Sequence, residues 1–205
     1  MLNLTKLSVA SLLLSISSLL KAEVFVRDDI ILEPVPEKFN ICHGGTCENI
    51  SDVSLTEQQW KQIKEILKNN KSPELERQKI KMAIAQLEKF VGRQTETFND
   101  KSENKTDEIT NHYMDCIDES TNTTLYLMMM QNDNLLRWHT YQDRGNRGYF
   151  FNGWPHTTAI IKETNSEKVY AVDSWFLDNG EQPYIIPYKK WKNGWRPANK
   201  DIPDK

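Results

Sequence analysis

Apolar residues change their spacing twice along the chain, and the changes predict an apolar leader, a helical stretch and a strand-rich stretch. Leu7 to Leu20 is close to an unbroken apolar run. Val24 to Leu32 is β-prone and ends at Pro34 and Pro36, which predicts an extended segment. Ser54-Leu55-Thr56-Glu57 matches a capping box, with Trp60, Ile63 and Leu67 following at helical spacing. Ser72-Pro73 opens a second helix, with Glu74 and Glu76 near the positive end of its dipole. Its apolar stripe is Ile80, Ile84, Leu87 and Val91, and Gly92 is expected to stop it. Residues 93–111 are polar and predict an exposed loop. A third helix is expected from Asp115 to Gln131, burying Ile117, Leu125, Met128 and Met129.

Beyond this point the period shortens to that of strands: Leu135–Tyr141, Tyr149–Phe151, His156–Glu163, Lys168–Phe176 and Tyr184–Ile186. Turns at Arg144-Gly145-Asn146 and Asp178-Asn179-Gly180 separate several of them. Helices followed by an antiparallel sheet predict an α+β fold.

The leader changes the picture of where the protein acts. Lys6, the apolar run and Lys21-Ala22 have the form of a secretory signal peptide over residues 1–22, leaving 23–205 as one α+β domain. The run is short for a membrane span, which needs about 20 apolar residues. An uncleaved anchor is the alternative; with cleavage, no stable span is expected. Losing Lys6 and Lys21 and no acid moves the net charge from −3 to −5. A mildly acidic chain without a basic block argues against nucleic-acid binding. The expected location is periplasmic or secreted; the sequence says nothing of oligomeric state.

An oxidising compartment favours paired thiols. Cys42 and Cys47 enclose a short loop containing Gly44-Gly45, and a disulfide is the expected pairing. A metal site with His43 between the thiols is the rival reading, but no second ligand pair of the usual spacing accompanies it. Cys116 is left over, in the first turn of the third helix if Asp115 is its N-cap. A helix N-terminus favours thiolate, whereas the acids Asp115, Asp118 and Glu119 oppose it. Zinc held by His112, Cys116, Asp115 and His156 is the rival to a catalytic thiol. His139 and His112 read as surface or half-buried imidazoles. Asn104 and Asn122 begin glycosylation sequons, a short and often accidental motif.

His156 and Asp173 can be placed by parity. A hairpin joined by the four residues Thr164–Glu167 pairs even-numbered with odd-numbered positions, so His156 and Asp173 share a face. They lie either directly opposite or one diagonal step apart. An Asp–His hydrogen bond is then within reach, and a buried Asp173 among Val169, Ala171, Val172 and Trp175 needs such a partner.

A cysteine at a helix start, then a histidine and an aspartate on adjacent strands with the aspartate in Val172-Asp173-Ser174-Trp175, resembles the transglutaminase-like branch of the papain-like cysteine proteases. The match spans Cys116 to Trp175. Ile117-Asp118-Glu119 after the cysteine and Thr157-Thr158 after the histidine stand where that family often has aromatics. The resemblance implies Cys116 as nucleophile, His156 as general base and acid, and Asp173 as the orienting carboxylate. The backbone N–H of Cys116 would be one oxyanion donor, with Asn111, His112 and Tyr113 candidates for the second. It implies acyl transfer through a thioester, without metal or organic cofactor, on a peptide, protein amide or cell-wall peptide. A non-catalytic transglutaminase-like binding module, and a structural protein with an intermolecular disulfide at Cys116, are the alternatives.

Overall fold

The computed structural model describes residues 27–104, 112–148 and 155–198. The predicted signal segment, the strand at Tyr149–Phe151, Asn111 and Trp154 lie outside them. The architecture is α+β. Two short strands, β1 (Phe39–His43) and β2 (Asn49–Val53), form an antiparallel hairpin. Helices α1 (Glu57–Leu67), α2 (Pro73–Thr95) and α3 (Cys116–Asn132) follow. A second antiparallel sheet then runs in the order β3 (His139–Arg147), β4 (His156–Glu163), β5 (Val169–Asp173) and β6 (Tyr184–Pro187). A five-residue helix, α4 (Tyr188–Lys192), packs back onto β5.

Local chemistry explains where these elements depart from the sequence pattern. Helix α1 is capped by Thr56 and Gln59 rather than by Ser54 and Glu57: Gln59 N donates to Thr56 Oγ1 at 3.2 Å, and Thr56 N to Gln59 Oε1 at 2.8 Å. Gly92 does not end α2, which continues to Thr95 and stops at Glu96 in the left-handed region. Gly92 serves a close approach instead. A Cβ there would lie 2.9 Å from Asn179 Oδ1 and 3.0 Å from Phe98 N. Gly145 is likewise no turn: β3 runs through it with a bulge between Gln142 and Gly145, where a side chain would collide with Ile160 and Tyr188. The strand starts at His139, not Leu135, because the N–H groups of Arg137, Trp138 and His139 donate to the Glu76 carboxylate at 2.7, 2.9 and 3.0 Å. His139 is therefore buried, with Nδ1 3.0 Å from Glu76 Oε1, and is no surface imidazole.

Helix α3 is central, packing against β1 as well as against β3 and β4. From Asp118 to Met130 every residue is buried, whereas Ile117, expected in the core, is only half-buried. A helix buried all round must satisfy its polar side chains internally. Thr121 and Thr124 donate to the carbonyls of Ile117 and Ser120, both at 2.7 Å. Asn122 behaves as a surrogate strand: its Oδ1 accepts from Cys42 N and its Nδ2 donates to Cys42 O, both at 2.8 Å. That buried position removes the Asn122 sequon from the surface. Phe39, Ile41, Ile80, Ile84, Leu87, Leu125 and Met129 fill the core around it.

Asn122→Ala removes both partners of a buried backbone amide, and each orphaned group costs about 1–3 kcal/mol. The expected result is a lower urea midpoint with an unchanged slope.

Candidate active site

The start of α3 is tied to the disulfide loop by its own acids. Asp115 caps the helix, its Oδ1 accepting from Ile117 N at 2.8 Å and Asp118 N at 3.0 Å, while its Oδ2 accepts from Thr46 N at 2.8 Å. Asp118 returns the box by accepting from Asp115 N at 3.1 Å. It also accepts from Gly45 N at 2.8 Å and Cys47 N at 2.7 Å. Cys42 and Cys47 form the expected disulfide, with Cα atoms 4.6 Å apart. Gly44 and Gly45 take positive φ at +85° and +82°, which lets the loop present its N–H groups to the helix. The loop and helix together fix the position of Cys116, the free cysteine, which is half-buried.

The β4–β5 hairpin follows the parity argument. Ala159 pairs with Val172 and Ile161 with Tyr170, and Glu163 N donates to Lys168 O at 2.8 Å across the four-residue turn. The same register sets His156 and Asp173 one diagonal step apart on one face. Strand β5 ends at Asp173, so Trp175 and Phe176 leave the sheet and wrap the imidazole. Their rings lie 4.8 and 5.3 Å from His156, and Trp191 lies 5.6 Å away on a third side. His156 Nε2 sits 2.8 Å from Asp173 Oδ2, with His156 2% and Asp173 1% exposed. The same oxygen accepts the Trp191 indole N–H at 2.6 Å. The Arg147 guanidinium stacks 4.5 Å over Trp191 and donates to the carbonyls of Trp191 and Trp195 at 2.6 and 2.8 Å. Arg147 is also the residue paired with His156 across β3 and β4.

The structure thus joins His156 to Asp173 directly and brings Cys116 near them through the next residue, whose backbone N–H favours the Cys116 thiolate. No hydrogen bond links the thiol to the imidazole among the described residues, and His156 Nδ1 is buried without a partner. Burial pushes the Cys116 thiol up to about 11, the Thr157 N–H opposes that, and the charges of Asp115 and Asp173 add to it. Of the acids expected to oppose thiolate, Asp115 does so, joined by Asp173, and burial is the larger cause. Burial also lowers the Arg147 pKa, against the pull of Asp173 and Cys116.

The proposed zinc quartet is not assembled. His112 turns to Thr95 O and Glu96 at 3.3 Å each, Asp115 is taken up by backbone N–H groups, and His156 faces Asp173. His112 is therefore no oxyanion donor, and Tyr113 lies against Gly45, its carbonyl accepting from Gly44 N. His43 Nε2 sits 2.8 Å from Ser51 Oγ. Among the described residues, Cys42, Cys47 and Asp118 are the group with metal-ligand spacing, and the two sulfurs there are already joined to each other.

Sequence reading missed Trp191, Arg147 and the second task of Asp118. Trp191 reads from the sequence as a core tryptophan and is fully buried, but no spacing signal relates it to Asp173. Compared with family models, curated proteins and solved structures, the chain matches none.

Behind the site lies a set of buried acids. Burial pushes Glu88 up to about 8, against hydrogen bonds from Gly180 N and Ser174, and Asp100 up to about 7, against bonds from Met114 N and Asn104. Glu119 rises well above its usual range by burial and by the charges of Glu88 and Asp100. Raised folded-state values mean that the folded chain holds protons the unfolded chain has released. Their contribution to stability is present in full below about pH 4 and is lost as pH rises through 7 to 8. Glu88→Gln, a neutral mimic of the protonated acid, should be more stable than the parent at pH 8.5 and closer to it at pH 5. Paired urea titrations at the two pH values read the difference.

Proposed function

We propose that the chain is an exported thiol-dependent acyl-transfer enzyme, acting on a peptide or side-chain amide through a thioester at Cys116. The observation that carries this reading is the state of His156. Its Nε2 is held on Asp173 at 2.8 Å, its Nδ1 is buried and unpartnered, and the backbone N–H of the following residue favours the Cys116 thiolate. A buried bare ring nitrogen is costly unless it has a partner to receive. The neighbouring thiol is that partner once it turns toward the ring, and site geometry of this kind is often looser without substrate. The likeness to the transglutaminase-like Cys–His–Asp order supports the same assignment.

The chemistry follows from those positions. His156 Nδ1 takes the thiol proton as the sulfur bonds to the carbonyl carbon. The α3 N-terminus and the Cys116 N–H face the developing oxyanion. The C–N bond breaks as the imidazolium returns its proton to the leaving amine. Water or a second amine, deprotonated by the same imidazole, then attacks the thioester and releases the thiol. Asp173 stabilises the imidazolium throughout. A resting thiol pushed up to about 11 suits proton transfer in step with attack rather than a standing thiolate.

Export is consistent with the Cys42–Cys47 disulfide, and among the described residues no helix is long and apolar enough to cross a membrane. Envelope peptides, including cell-wall peptide, are the substrate class proposed. The raised thiol pKa is also the observation that favours the second reading, a binding module of the same architecture.

Cys116 is the free cysteine, so alkylation reports on it directly. Iodoacetamide labelling at pH 7 should slow by about 10²-fold in His156→Ala, the scale of general-base assistance. Acyl transfer to hydroxylamine from a panel of peptide amides should vanish in Cys116→Ala. Equal labelling rates in parent and His156→Ala would sink the enzyme reading.

A further inference from the structure

Asp173 Oδ2 accepts two donors, His156 Nε2 at 2.8 Å and the Trp191 indole N–H at 2.6 Å, in a pocket where Asp173 is 1% and Trp191 0% exposed. These two partners are chemically unequal. Imidazole Nε2 donates or accepts according to tautomer, whereas an indole nitrogen only donates and does not titrate. The indole donor favours the ionised, acceptor-only form of the carboxylate and so resists a proton on Oδ2. Nε2 must then be the N–H nitrogen, and the bare lone pair falls on Nδ1.

We infer that Trp191 is a positioning residue that sets the His156 tautomer: its indole N–H keeps Asp173 Oδ2 an acceptor and leaves Nδ1 free to take the Cys116 proton. This rests on the acyl-transfer reading for its use, but not for its geometry. The indole is itself held from three sides. The Arg147 guanidinium stacks at 4.5 Å, Tyr188 stacks at 5.7 Å, and the Arg147 bonds to the carbonyls of Trp191 and Trp195 anchor the short helix α4. A triad in the wrong tautomer loses about 10⁴ in rate. A device that forbids that tautomer therefore bears directly on turnover.

The inference makes an unusual demand on Asp173→Asn. An amide at that position can turn either its oxygen or its NH2 toward His156. The indole tolerates only the oxygen, so the amide must present it to both donors and the tautomer must survive. Nitrogen-detected NMR of isotopically labelled histidine reads the tautomer directly. Parent and Asp173→Asn should both show Nε2 protonated and Nδ1 bare, whereas Trp191→Phe should show a mixture, and Asp173→Asn with Trp191→Phe should show loss or reversal. The pH profile of Cys116 alkylation should shift in Trp191→Phe, with urea unfolding recorded alongside to gauge packing loss. If Trp191→Phe does not fold, the single Asp173→Asn variant still decides. A reversed tautomer there overturns the inference, as does a parent-like tautomer and pH profile in a folded Trp191→Phe. Parent-like labelling in His156→Ala would instead remove the enzyme reading while leaving the tautomer result standing, so the two failures are distinguishable.

Discussion

The register of the β4–β5 hairpin is the constraint on which the rest of the site depends. Four residues, Thr164 to Glu167, close it, so positions of opposite parity share a face and His156 reaches Asp173 on the diagonal. One residue more or less in that turn would send one of the two side chains to the opposite face. Once Asp173 is buried, its charge demands donors, because an unpaired carboxylate in an apolar setting is expensive. Its two partners come from distant parts of the chain, an imidazole from β4 and an indole from α4, and a guanidinium from β3 stacks on the indole.

The nucleophile's side of the site is built on a different principle. Asp115 and Asp118 spend their oxygens on the N–H groups of the helix start and of the 44–47 loop, tying α3 to the disulfide. That arrangement holds Cys116 in place, where burial raises its pKa and the charges of Asp115 and Asp173 add to the effect. The thiol therefore rests protonated. His156 Nδ1 is left buried without a hydrogen-bond partner.

The same use of buried polar groups recurs away from the site. Glu76 gathers three backbone N–H groups and an imidazole, and Asn122 substitutes for a strand neighbour of Cys42. The back-bonded threonines of α3 let a polar sequence pass through the core. Glu76 and Asn122 each join two elements distant in sequence, while the threonines are satisfied within α3 itself, which explains why an apolar-stripe reading of α3 underestimated its burial.

Periodicity and parity carried much of the outcome, because both are local properties of backbone geometry. The three helices, the strand from His156 to Glu163, the Cys42–Cys47 disulfide and the shared face of His156 and Asp173 were legible for that reason. The hairpin Phe39–His43 with Asn49–Val53, the passage of α2 beyond Gly92 and of β3 through Gly145, and the burial of His139 were not. In each, a long-range partner overrode a local signal: Asn122 for β1, Phe98 and Asn179 for Gly92, Ile160 and Tyr188 for Gly145, and Glu76 for His139. The sequence by itself singled out Cys116, His156 and Asp173 as candidates and determined that the last two face the same way. Tertiary structure alone decided that Trp191 donates to Asp173, that the Cys116 thiol makes no hydrogen bond to His156, and which ring nitrogen is left without a partner. Those are matters of which donor reaches which lone pair, and only packing brings residues so far apart in the chain within hydrogen-bond reach.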